Sequence, residues 1–374
     1  MSSLFLAMAI FTPAIQQAGP SPEVLEIIAK GQAATRPQTP EKTAEMTAGR
    51  AAMIACQRAF MGQDYMPNPM IWKVADADTT IYLFGTIHQL PPSFDWRSPQ
   101  LEQIIHEARL LITETGLREN SGDSRSLVDL MTDAAPPQPP IVKRVKGKQR
   151  AKWLGMSAML PENQTAMLDR LPSWIAAVYV GLAAQQMKTP PMGTGADHQL
   201  KQAFREAKKP VVAIEDGDAV VAAVSRIPEP QQRRMLREAL DAVGRPITLG
   251  ERMAMYHQWA RGEYKLDALW TKGKQPFYVQ ALRQPLLTAR NAAWAAELVR
   301  RMAEPGVTLV AVGAGHLDGT DSLLALLAKR GFRAELVSST SPPVRRAEFL
   351  PKPANWSECS TYLFGKKVPQ AGVK

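Results

Sequence analysis

The chain has 374 residues, of which 45% are hydrophobic and 21% charged, with a net charge of +10. That is the balance of a soluble globular protein, not of a disordered or fibrous one, and the length suits one or two domains with a large core. Much of the excess charge comes from one run, Lys143 to Lys152, rather than from the whole surface.

The first apolar stretch, Leu4 to Phe11, is too short to cross a bilayer, so no transmembrane span is expected there. It resembles the apolar part of a secretory signal with a cut after Ala18. No Lys or Arg precedes Lys30, so either the start lies upstream or the segment is not a signal. The expected organisation is a truncated signal peptide at 1–20, a polar and partly helical leader at 21–66, a regular body at 67–340 and a Pro-rich tail at 341–374. The two cysteines, Cys56 and Cys359, lie in the flanks. In an exported protein, periplasmic or secreted, they would form one disulfide; in a cytoplasmic one they would be unpaired.

The body opens with two β-rich runs, Ile71-Trp72-Lys73-Val74 and Thr80 to Phe84, separated by Asp76-Ala77-Asp78, which predicts a hairpin. Ser98 caps a helix that runs to Ala108 with Leu101, Ile104 and Ile105 at helical spacing, and Leu110 to Glu114 reads as a buried strand. A hairpin, helix and strand in that order imply a crossover and a partly parallel sheet. The middle is mostly helical, with apolar residues three and four apart over 126–132, 173–187, 196–208, 229–242, 249–260 and 286–303, and one strand, 210–215, among them. Strand pattern returns at 307–312, followed by a helix at 321–330 and a last strand at 332–337. The fold class is therefore α/β, with a mixed, partly parallel central sheet formed by the two ends of the body and a large helical insertion between them.

The basic run beside Pro136 to Pro140 has two readings, an anionic partner or a solvated loop and helix start. No aromatic residue interleaves with its charges as single-strand binding requires, so the second is preferred and no nucleic acid is expected.

Two Gly-x-x-His motifs carry the chemistry. Gly85-Thr86-Ile87-His88 follows the strand ending at Phe84, and Gly313-Ala314-Gly315-His316 follows the strand ending at Val312. Glu114 closes one predicted strand and Glu215 another. Four ionisable groups thus leave the carboxyl ends of four strands, and in a parallel sheet those ends share the edge where ligands bind. Two imidazoles and a carboxylate are a ligand set for Mn²⁺, Co²⁺ or Zn²⁺, which would make hydroxide from water, with a spare carboxylate taking the proton. Taken one by one, each residue is as readily a hydrogen-bonded strand end or a helix cap. His106, His198 and His257 read as surface or structural. There is no Gly-x-Ser-x-Gly elbow, phosphate loop or His-Glu-x-x-His helix.

Trp72-Lys73-Val74, Ile81 to Pro92 and Asp95-Trp96-Arg97-Ser98-Pro99 together resemble the opening of the TraB/PrgY/GumN family. Leu171-Pro172-Ser173-Trp174, Gly195-Ala196-Asp197, Lys209 to Glu215, Arg290-Asn291-Ala292-Ala293-Trp294 and Val312 to Leu317 match its later elements in order, closest to the bacterial GumN-like branch. The resemblance implies an α/β domain related to the Tiki metalloproteases and, more distantly, to erythromycin-esterase and haem-binding ChaN-like domains. It implies a metal held by His88, Glu114 and His316, with Arg290 and Asn291 as polarising groups. The leading expectation is an exported metal-dependent hydrolase, peptidase-like, on a peptide or other small substrate, with Glu215 as fourth ligand or base and Arg290 stabilising an oxyanion. The rivals are a peptide- or haem-binding protein without turnover and a metal-free, esterase-like hydrolase with His as base.

Overall fold

The structure is a computed structural model and describes residue 63 and residues 65–92, 94–115, 138–160, 162–186, 193–243, 249–263 and 277–337. The signal, Cys56, Cys359, the helix expected at 126–132 and the Pro-rich tail lie outside the described residues.

Strands β1 (Ile71–Ala75) and β2 (Thr79–Thr86) form the expected antiparallel hairpin, with Ile71 opposite Phe84. Asp76 closes its turn by accepting the Thr79 N–H at 2.9 Å. Strand β3 (Gln89–Leu90) follows His88. Helix α1 (Pro99–Glu107) starts where Ser98 Oγ accepts the Leu101 N–H at 3.1 Å, and Pro99 suits a first-turn position that has no N–H partner to lose. Strand β4 (Leu110–Thr115) comes next.

The helical layer has a single turn at Ile141–Arg144, then α2 (Gly147–Ser157), α3 (Glu162–Arg170) and α4 (Ser173–Gln186). Strand β5 (Gly193–Thr194) pairs antiparallel with β3 and leads into α5 (Ala196–Glu206). Strand β6 (Val211–Glu215), α6 (Gly217–Ser225), α7 (Glu229–Ala242) and α8 (Leu249–Ala260) follow. Helix α9 (Phe277–Arg283) passes through a π-helical turn, Gln284–Thr288, into α10 (Ala289–Arg301). The chain then forms β7 (Gly306–Gly313), a 3-10 turn (Ala314–Leu317), α11 (Leu323–Ala328) and β8 (Glu335–Leu336).

The central sheet has the order β6-β4-β7-β2-β1-β8. Strands β6, β4, β7 and β2 run parallel, and β1 is antiparallel to both its neighbours. This is the expected α/β class, although β6 joins the sheet from within the helical middle. The last strand is only the pair Glu335–Leu336 on the sheet edge, shorter than the 332–337 pattern suggests.

Alternation along the central strands supplies both faces of the sheet. Phe84, Leu309 and Ala311 point into a core shared with Leu101, Phe204 and Trp259. Ile81, Leu83, Val310 and Val312 point into another with Trp294, Leu298 and Leu327. A third cluster, built around Trp153, Trp174, Val178 and Leu236, holds the helical layer together.

The basic run is a helix clamp as much as a solvated face. Arg144 is buried and donates to the Asp169 and Leu171 carbonyls at 2.7 and 2.8 Å, at the end of α3. Lys152 Nζ donates to the Asp241 and Val243 carbonyls at 2.7 and 3.1 Å, at the end of α7. Carbonyls at a helix C-terminus lack intrahelical partners, and cations satisfy them.

A buried arginine hub at the carboxyl edge of the sheet

The two Gly-x-x-His motifs lie side by side. Strands β2 and β7 pair in parallel along their whole length, with Gly85 opposite Val312 and Thr86 opposite Gly313. Gly85 is needed for this: a Cβ there would stand 2.9 Å from Ala314 Cα, so only glycine lets the second motif's turn pack against the first strand. The Trp259 indole N–H donates to the Gly85 carbonyl at 2.8 Å and fixes the strand end. His88, Glu114, Glu215 and His316 therefore all leave one sheet edge, as four parallel strand ends require.

Arg290 joins three of them. It opens the buried stripe Arg290, Asn291, Trp294, Ala295 and Leu298 on α10, whose spacing turns one helix face to the sheet. Its Nη2 donates to Glu114 Oε2 at 2.8 Å and also to Glu215 Oε1. Its Nε donates to Glu215 Oε1 and Oε2 at 2.9 and 3.0 Å. Its Nη1 donates to the Leu286 carbonyl in the π-helical turn at 2.8 Å and lies 3.3 Å from His316 Nε2. A guanidinium has five N–H groups, and these contacts use all of them.

The other atoms are equally committed. Glu114 Oε1 accepts the Gly313 N–H, and His316 Nε2 is 3.8 Å from that same oxygen. Asn291 Oδ1 is 2.6 Å from His316 Nδ1, while Asn291 Nδ2 donates to the Asp321 carbonyl at 2.9 Å. The amide orientation makes Nδ1 the protonated ring nitrogen of His316 and leaves Nε2 as acceptor for Arg290. The Trp294 ring packs tilted against His316, with ring centres 4.3 Å apart, and donates its indole N–H to Glu215 Oε2 at 3.0 Å.

His88 has a different partner. Strands β3 and β5 pair Gln89 with Thr194, so the next step in register puts His88 against Gly195. A Cβ on Gly195 would fall 2.1 Å from the His88 carbonyl carbon, and the Ala196 N–H donates to the Ile87 carbonyl at 2.8 Å. The start of α5 is thereby pressed against the first motif, and Asp197 Oδ1 comes 3.2 Å from His88 Nδ1. The separation is that of an ion pair, but the alignment is not that of a hydrogen bond. Among the described residues, His88 Nε2, Asp197 Oδ1 and Thr86 Oγ1 are buried with no hydrogen-bond partner.

Protonation follows from these surroundings. Burial, with the Arg290 and His88 charges, holds His316 neutral and lowers it to about 3 against the pull of Glu114. Burial alone would raise Glu114, but His316, Arg290, His88 and the Gly313 N–H bring it down to about 2. Since the geometry makes His316 neutral, Arg290 is the charge that keeps Glu114 ionised. Glu215 goes the other way: burial raises it more than Arg290 lowers it. For His88, burial lowers and Asp197 raises proton affinity, and the sum lies above the usual histidine value.

These commitments bear on the expected metal. Of the three residues expected to bind it, Glu114 and His316 have their donor atoms occupied by Arg290, Gly313 and Asn291, and only His88 offers a free one. Among the described residues no group of three or more His, Cys, Asp or Glu is arranged to hold a metal ion. As arranged, the set fits a guanidinium and not a divalent ion. Arg290 likewise has no N–H left to give an oxyanion.

Asp197 and Trp294 lie in the Gly195-Ala196-Asp197 and Arg290 to Trp294 motifs, and the sequence alone assigns them no role. Trp294 carries a signal, the four-residue spacing from Arg290, whereas Asp197 reads locally as first-turn helix chemistry. His106 and His198 are exposed, and His257 is held by the Tyr65 hydroxyl at 2.7 Å, all as expected.

A family model described as the TraB/PrgY/gumN family matches residues 70–336. No curated protein and no solved structure matches the chain.

Proposed function

The chain belongs to the TraB/PrgY/gumN family, and from that premise we propose that the carboxyl edge of its sheet is a hydrolytic site for a peptide or other small acyl substrate. The observation that carries this reading is the buried His88 Nε2, without a hydrogen-bond partner among the described residues, with Asp197 at the opposite ring nitrogen. In its neutral form His88 takes a proton at Nε2 from a water attacking a carbonyl, and Asp197 steadies the imidazolium that results. Thr86 Oγ1 offers a second hydrogen-bonding group at the same strand end that has no partner among the described residues. Arg290 contributes positive charge to the edge, not a free N–H, and Glu114, Glu215, His316 and Asn291 hold it there.

The test is turnover of acyl and peptide reporters by the wild type and by His88→Gln, with circular dichroism to confirm the fold. Loss of turnover in a folded variant supports the reading; a folded His88→Gln that still hydrolyses at the wild-type rate removes it. A protein that binds peptide or haem at the same edge without turnover is the outcome left if neither hydrolyses any reporter. The metal-dependent form of the reading requires Arg290 to release Glu114 and His316 to Mn²⁺, Co²⁺ or Zn²⁺. Activity abolished by a chelator and restored by one of these ions would establish it.

Export belongs to the same proposal. The apolar start and the placement of Cys56 and Cys359 on opposite flanks support it. Mass spectrometry of unreduced protein from an oxidising compartment should find the two joined; two free thiols there would withdraw that support.

A further inference from the structure

We infer that Arg290 is the resident cation of this edge, filling the place among Glu114, Glu215 and His316 that a divalent ion would otherwise take. The inference rests on the proposed site but not on its turnover. Three features of the cluster are those of a metal centre: a carboxylate pair in which Glu114 is buried and Glu215 partly so, an imidazole fixed in one tautomer, and a backing group for that imidazole in Asn291. In metal sites a ligand histidine gives its lone pair to the ion and its other N–H to such a backing acceptor. Here the same lone pair, on Nε2, meets Arg290 Nη1 at 3.3 Å.

The guanidinium suits the position better than an ion would. It is planar and forked, so one group reaches Glu114, Glu215 and His316 together. Its Nη1 is also tied to the Leu286 carbonyl, inside the π-helical turn that precedes α10. Such turns are single-turn departures from the α-helix that recur at functional sites, and this one supplies the acceptor that sets how far Arg290 reaches. Its face lies 4.6 Å from the Trp294 ring centre, a cation–π contact. A metal bonded to Glu114 and His316 would need about 2.0–2.2 Å to each ligand atom, within the space the two Nη groups hold. Ion and guanidinium therefore exclude each other by volume and by like charge.

Removing the guanidinium should uncover a metal site. The experiment is calorimetric titration and thermal melting of the full chain with MnCl₂, CoCl₂ and ZnCl₂, together with elemental analysis of purified protein. The wild type should contain no stoichiometric ion at this edge, and its melting temperature should be unchanged by a chelator. Arg290→Ala should melt lower, gain one divalent ion per chain with affinity increased by about tenfold or more over the wild type, and recover part of the lost melting temperature on binding. Adding Glu114→Gln to Arg290→Ala should abolish the gain. Should Arg290→Ala fold only when a divalent ion is present, that dependence is itself the expected result. Should it not fold at all, wild-type metal content decides alone. A wild type that carries one tightly held ion, lost on His316→Ala, overturns the inference, as does a folded Arg290→Ala with no gained affinity. Neither result depends on hydrolysis, which His88→Gln tests separately.

Discussion

His316 Nδ1 donates to Asn291 Oδ1 across 2.6 Å, and this one contact decides what the second Gly-x-x-His motif can do. It fixes the proton on Nδ1, directs the Nε2 lone pair at Arg290 and keeps the ring neutral. Asn291→Asp should replace the amide by a carboxylate and make the imidazolium favourable. His316 should then titrate well above its present value of about 3. Imidazole resonances followed by NMR across a pH series give the measurement. Titration unchanged in a folded variant would mean that Asn291 does not control the ring.

Acid should destabilise the protein in two overlapping windows. His316 is depressed to about 3 in the folded chain from 6.5 unfolded, so between those values only the unfolded chain takes up the proton. Stability held above pH 6.5 is lost as pH falls toward 3, on the order of 5 kcal/mol in all. Glu114, depressed from 4.5 to about 2, adds a second loss between those values by the same sign. His88, raised with Asp197 beside it, acts oppositely: its contribution is present below 6.5 and disappears as pH rises through its folded value. Urea unfolding from pH 8 to 3 should show a net loss, and His316→Asn should flatten the upper window relative to the wild type.

The two carboxylates of the hub should not be equivalent. Both accept hydrogen bonds on both oxygens, so an amide in either place turns N–H against N–H. Glu114 is held far below its ordinary value and Glu215 above its own. Loss of the negative charge therefore costs more at Glu114. Glu114→Gln should destabilise by on the order of 3 kcal/mol at pH 7, and Glu215→Gln by clearly less. Denaturant midpoints at pH 7 check the order; equal costs would show that charge is not what separates them.

Gly195→Ala tests the pressing of α5 against the first motif. The new Cβ would overlap the His88 backbone, with its carbonyl oxygen at 2.2 Å, and backbone cannot swing aside as a side chain does. The start of α5 must move, taking Asp197 from His88. The expected result is a loss of about 1–3 kcal/mol, the range of overpacked sites, with hydrolysis reduced further than the fall in folded protein explains. Wild-type stability and activity would mean that the approach is not needed.

The sequence by itself determined the elements and the edge. Short apolar runs ended by Gly or Glu, with capped amphipathic helices between them, are local patterns, and strands joined by crossovers run parallel and so share a carboxyl edge. Those patterns are enough to bring His88, Glu114, Glu215 and His316 to one edge. Only the tertiary structure decided that β7 lies between β4 and β2, so that the two motifs touch. It also decided that Arg290, 176 residues from Glu114 and 75 from Glu215, occupies the centre, and that Asp197 faces His88. The physical reason is the same for each. Strand order and the reach of a long side chain depend on contacts between distant segments, and no local spacing encodes whether an acidic pair will be neutralised by a metal or by a guanidinium from another helix.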